Sequence, residues 1–293
     1  MSNLPPFSNG PERGGENPYN NENPYGNEPD WNSGPGQVRL VQGDGKPDIK
    51  KSIGFGFRAV MDDPGVWLLV AFLLIMASAV LGFIISMVQL LLVTLFSGDL
   101  SSASNPSGLG QVFQNFCNTF IGLVFSAYLI NAALQKMNGQ TPTLSSAAAN
   151  INYKNLILVS LINAAILVLV LLPVVIFGYE APAQAATEFQ ISPRMLVVFF
   201  SSAIISLLIA PFLIFPLYFL IDGNNDVGDC FRRSFELGKY HYLTLLLFAF
   251  MQFLIIIIGF LACCIGLIFA TPVNVLANAF MFRKLTGRTH PEF

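Results

Sequence analysis

Long apolar stretches separated by short polar ones dominate this chain after a polar opening that runs to about residue 48. The stretches fall at 66–96, 112–135, 155–179, 195–221, 241–262 and 265–283. Each is near or above the ~20 residues that a helix needs to cross the hydrocarbon core of a bilayer. The first is long enough to tilt or to project beyond the membrane. The last two share one apolar block from Leu243 to Phe282. As a single span that block would be about twice the required length, so it divides at Cys263-Cys264-Ile265-Gly266, where glycine permits a tight reversal. The pattern predicts an all-α membrane protein with six transmembrane helices.

The cations orient these helices, because short cytoplasmic connections are enriched in Lys and Arg. Arg39, Lys46, Lys50, Lys51 and Arg58 precede the first span, and the 97–111 connection has none. Lys136 and Lys154 bracket the next connection, whereas 180–194 holds only Arg194. Arg232, Arg233 and Lys239 fill the following one, and Arg283, Lys284 and Arg288 follow the last span. The bias alternates at every crossing. It predicts a multi-pass protein of a cell membrane, bacterial in character, with both ends in the cytoplasm. The N-terminus lacks the basic region and short apolar core of a cleaved signal peptide, so the first span reads as a signal-anchor.

The spans group in pairs. With Gly139 set against Gly223, residues 140–151 align with 224–235 without a gap. Phe57-Arg58 with Asp62 matches Phe231-Arg232 with Glu236, and Lys136-Met137-Asn138-Gly139 echoes Lys284-Leu285-Thr286-Gly287. The expectation is three pseudo-repeats at about 52–139, 140–223 and 224–287, each a cytoplasmic amphipathic helix plus a transmembrane hairpin. Together they form a domain over 49–288. The helix expected over 226–239 carries Val227, Phe231, Ser234 and Phe235 on one face. Such a helix lies in the headgroup plane, so Arg58, Arg232 and Arg233 are candidate contacts for lipid headgroups.

The layout resembles a family. Pro211 and Pro216 in the fourth span, the Asp226-to-Lys239 helix and the closing Gly266…Thr271-Pro272-Val273…Arg283 hairpin look like bacterial six-span proteins related to the membrane domain of glycerophosphodiester phosphodiesterases. The resemblance covers about residues 50–287. It implies the same membrane fold, and the Pro- and Gly-rich cytoplasmic tail common among actinobacterial members. The phosphodiesterase catalytic domain is absent from this sequence, so the resemblance carries no such activity.

Composition removes further classes. Only 11% of the 293 residues are charged, against roughly 25% in a soluble domain. The net charge of -2 gives no basic field for nucleic acid. The four cysteines show no metal-ligand or disulfide spacing, and no cofactor motif is present. Residues 1–48 are too poor in aliphatics to offset their ordering entropy and are expected to be disordered. Within them Glu16-Asn17-Pro18-Tyr19 recurs as Glu22-Asn23-Pro24-Tyr25, with Glu28-Pro29-Asp30-Trp31 a degenerate copy. Tyr19, Tyr25 and Trp31 are thus candidate docking residues for a cytoplasmic or membrane partner.

Charge is missing from the middle of every span, which disfavours ion-coupled transport and proton relays. The histidines, His241 and His290, have no nucleophile or metal partner in view, so a non-catalytic protein is expected. The polar groups that remain are neutral. Asn131, Asn163, Asn274 and Asn278 serve either as hydrogen-bonding glue between helices or as the lining of a polar cavity. Pro173, Pro211, Pro216 and Pro272 each free a backbone carbonyl. Two roles follow. One is a protein that organises or assists other envelope components, in contact with membrane lipids and tethered through its tail. The alternative is a passive permease or lipid transporter with a polar-lined cavity, and an unrecognised membrane enzyme ranks third.

Overall fold

The computed structural model describes residues 40–97, 108–149, 151–178, 193–223, 226–262 and 265–292. Six spans, each long and apolar enough to cross a membrane, form the body of the molecule. They are α2 (Pro64–Ser97), α3 (Gly108–Met137), α5 (Tyr153–Gly178), a fourth span in two pieces, α9 (Tyr242–Leu261) and α10 (Ile265–Leu285). The pieces of the fourth span are α6 (Pro193–Leu213) and α7 (Pro216–Gly223). Helix α10 is the central element, with 56% of its apolar window buried against 11% for α2, which leaves α2 to face lipid.

A short helix precedes each hairpin: α1 (Ile49–Asp62), α4 (Leu144–Ala148) and α8 (Val227–Tyr240). Each packs on the second span of the preceding unit. Helix α4 lies on α3, α8 on the α6–α7 span, and α1 on α10, which closes the series into a ring. The register of α1 against α8 differs from the sequence alignment by one helical turn. Both helices have 14 residues, and their buried sets coincide as Ser52 with Cys230, Gly56 with Ser234, Ala59 with Leu237 and Val60 with Gly238. Of the Phe-Arg pairs that suggested that alignment, Phe57, Arg58 and Arg232 are exposed, whereas Phe231 is half-buried against the core. Gly56 and Ser234 approach equivalent carbonyls, those of Val273 and Phe212, each one residue after a proline.

The second unit departs further. The gap-free alignment of 140–151 predicts a full amphipathic helix, but α4 is a single turn of five residues. A capping box between Thr143 and Ser146 starts it, and extended backbone at Ala149 ends it. The stretch Ala147-Ala148-Ala149 supplies no large apolar face to hold a longer helix. The helix ends do repeat as expected. Gly139 and Gly287 sit at φ 74° and 67°. Beside them Gln140 N donates to Gln135 O, and Arg288 N to Arg283 O, both at 3.0 Å. These are the six-residue bonds of a glycine-closed helix C-terminus, a conformation costly for any residue with a Cβ.

Two short strands are invisible to local sequence reading. β1 (Leu40–Gln42) pairs antiparallel with β2 (Thr289–Pro291). β1 therefore lies inside the segment 1–48 that composition assigns to a tail, and Asp48 caps α1 by accepting from Lys51 N at 3.0 Å. The ribbon sets both ends of the described chain at one end of the bundle.

Candidate functional site at the broken fourth span

Pro216 decides the site. A helix running through it would bond residue 216 N to Phe212 O, and proline has no N–H to give. Helix α6 accordingly stops at Leu213, and α7 restarts with Pro216 in its first turn. Two carbonyls at the break take side-chain donors instead. Ser234 Oγ donates to Phe212 O at 2.7 Å, and Asn163 Nδ2 to Leu213 O at 3.4 Å. Tyr242 OH donates to Leu208 O at 3.1 Å, one turn earlier beside Pro211. Broken backbone at membrane depth persists only where protein or a cavity satisfies it, and here both occur.

A cavity of about 550 Å3 adjoins the break, with Ala210 and Ile214 in its wall. Its polar lining is Ser202 and Ser206 from α6, Gln252 from α9, and Asn274 and Asn278 from α10. Gln252 Nε2 donates to Asn278 Oδ1 at 2.8 Å and reaches Asn274 O at 3.4 Å. Asn274 Oδ1 is buried with no hydrogen-bond partner. Among the described residues, no Asp, Glu, Lys, Arg or His lines the cavity. An ion entering it would lose hydration without a counter-charge, whereas a hydroxyl or amide would find both donors and acceptors.

A second pocket of about 200 Å3 lies between α3 and α5, lined by Asn115, Asn118 and Thr119 together with Leu167 and Leu171. Nearby, Gln114 Nε2 donates to Ser86 Oγ at 2.9 Å and Gln89 Nε2 to Gly110 O at 3.2 Å, which ties α2 to α3.

The sequence-derived candidates separate into groups. Asn274 and Asn278 line the cavity. Asn163 braces the break. Asn131 does neither: its Nδ2 donates to Ala147 O and Ala149 O at 2.9 Å and so ties α4 to α3, with Gln135 Nε2 on Ser146 O at 2.7 Å beside it. Arg58 and Arg232 are exposed on α1 and α8, Arg232 is 3.3 Å from Asp229, and Arg233 is half-buried. On α8 the inward face centres on Cys230, Ser234, Leu237 and Gly238. Phe235, placed by the sequence on the apolar face with Val227, Phe231 and Ser234, is 56% exposed and stacks on Phe212 at 4.9 Å. Tyr19, Tyr25 and Trp31 lie outside the described residues. Ser206 escaped the sequence reading, although Ser202 and Ser206 show the same four-residue spacing as Asn274 and Asn278.

Charge collects at the end of the bundle that carries α1, α4 and α8. Asp222, at the end of α7, meets Arg283 at 2.6 Å and also pairs with Arg288. Lys136 pairs with Asp63 at 2.8 Å, and Lys284 with Asp48 at 3.3 Å. The Lys51 N–H, with Lys284 nearby, holds the Asp48 carboxyl below its usual range despite partial burial. Burial pushes the Cys230 thiol up to about 11, which keeps it an inert packing group. Against known proteins, the chain matches no family model, no curated sequence and no solved structure.

Proposed function

We propose that this protein is a passive permease or lipid transporter, and that the cavity beside the broken fourth span holds its substrate. One observation carries the reading: an open, largely apolar cleft of about 550 Å3 that carries uncharged amide and hydroxyl side chains next to a discontinuous helix. That volume falls within the ~300–1,000 Å3 usual for small-molecule sites. Discontinuous spans beside a mid-membrane site recur among transporters; here Ser234 and Asn163 take the carbonyls at the break, so side chains are left to meet a substrate. A purely organising role has no use for such a cleft.

The lining selects the substrate class. With amides and hydroxyls but no cation, it suits an uncharged polyol, whether free or as the headgroup of a lipid. Nothing in the lining titrates near neutrality, so the flux is passive rather than proton-coupled. The site belongs to a non-catalytic protein of a bacterial cell membrane. Its exposed Arg58 and Arg232, with Arg233, contact headgroups of the cytoplasmic leaflet, and its tail is a further docking segment for a partner.

Reconstituted protein provides the test. Proteoliposomes are assayed for glycerol entry and, separately, for scrambling of a fluorescent glucosyl diacylglycerol, with a fluorescent phosphatidylglycerol as the charged comparison. One of the two uncharged probes moves faster than in empty liposomes, and Asn278→Leu slows it. Rates for both uncharged probes equal to those of empty liposomes sink the reading.

A further inference from the structure

The central cleft and the pocket between α3 and α5 share one residue. Leu171 of α5 stands in the wall of the pocket at Asn115, Asn118 and Thr119 and also in the wall of the central cavity. Chain direction places both at compatible depths. Asn115 lies ~10 Å along α3 from its start, Leu171 lies ~10 Å before the end of α5, and Ser202 lies ~14 Å along α6. All three distances are measured from the end of the bundle opposite α1, α4 and α8. Asn278 lies deeper, ~20 Å along α10. The pocket between α3 and α5 is therefore nearer that far end, and the central cavity runs from it toward the middle.

We propose that the pocket at Asn115, Asn118 and Thr119 is a second polyol subsite on the same path, and that Leu171 is the partition between the two. This rests on the permease reading above and extends it to the route. Both compartments offer the same chemistry, neutral amides and hydroxyls with apolar walls, so a ligand accepted by one is accepted by the other. Between them a leucine side chain presents no hydrogen-bonding group. The ligand's hydroxyls must leave one polar set before they reach the next, which makes the leucine a barrier in the middle of the path. A partly buried leucine side chain can clear the way by a change of rotamer, without domain movement.

Two substitutions at this position push the flux in opposite directions, which separates the proposal from a simple folding defect. Leu171→Ala shortens the partition, and flux of whichever uncharged probe the protein carries rises about fivefold, the change that ~1 kcal/mol off a barrier produces. Leu171→Trp fills the gap, and the same flux falls toward that of empty liposomes. Asn118→Leu lowers flux with the partition intact. Retention of trapped carboxyfluorescein accompanies each assay, and a general leak with Leu171→Ala counts against the proposal. If Asn278→Leu slows the probe while both Leu171 variants match the unaltered protein, the central site stands and the partition is wrong. If Leu171→Ala and Leu171→Trp both lower flux, the leucine is a packing residue and the proposal is overturned. If Asn278→Leu is also without effect, the permease reading itself falls.

Discussion

At the scale of single residues, the chain handles its prolines by borrowing donors from far away in sequence. Pro216 was legible as a source of a free carbonyl, but the identity of the donor was not. Ser234 lies 22 positions from Phe212, on the amphipathic helix α8. Its hydroxyl looks like one of several small residues on an amphipathic helix. The contact predicts a specific pattern of stability. Ser234→Ala removes the side-chain donor of the part-buried Phe212 O and costs about 1–3 kcal/mol, read as a lower thermal midpoint in detergent. Pro216→Ala restores an N–H at the position from which a helix would bond that carbonyl. The loss caused by Ser234→Ala is therefore smaller in the Pro216→Ala background. Equal losses in both backgrounds would show that the hydroxyl does not answer the proline.

At the scale of elements, span positions were readable because hydrophobic thickness is a strong and local constraint. The stretch read at 112–135 is the helix Gly108–Met137, and the one at 155–179 is Tyr153–Gly178. The short helices were harder, because what they bury depends on which carbonyl they rest against. Gly56 shows why. A Cβ there would come within 2.4 Å of Val273 O, a backbone atom that cannot swing aside. Gly56→Leu is expected to lift α1 from α10 and loosen the helical backbone at Lys50 and Lys51, whose side chains are already exposed, so that trypsin cuts there under conditions where the unaltered protein is resistant. Arg58→Gln, on the exposed face of the same helix, leaves the cleavage pattern unchanged. Similar cleavage of both variants would mean that α1 does not depend on this contact. The break within the fourth span was half legible. Two prolines five residues apart signalled distortion, but the cavity beside it needs residues from α9 and α10 that sequence proximity does not bring together.

At the scale of the whole molecule, the three units form a ring in which each short helix rests on its predecessor's second span. The repeat was visible in sequence, but ring closure was not, since it depends on α1 meeting α10 across the entire length of the chain. The same distance hid the ionic joint. Asp222 ends the second unit, Arg283 ends the third, and both side chains are nearly excluded from solvent at 5% and 8% exposure. Removing one partner of such a pair leaves a buried charge uncompensated. Asp222→Asn is thus expected to cost about 3–5 kcal/mol, and the double variant Asp222→Asn with Arg283→Met recovers part of that. Detergent unfolding curves decide the matter, and a single variant as stable as the unaltered protein would show that the joint is dispensable.

The β1–β2 ribbon has a further consequence. Leu40 stands opposite Pro291, so the chain leaves the bundle beside the place where it enters. The ring is thus entered and left at one point, where the first unit meets the third. Anything that grips the first 39 residues holds both strands of the ribbon at once, and through them the opening and closing units together.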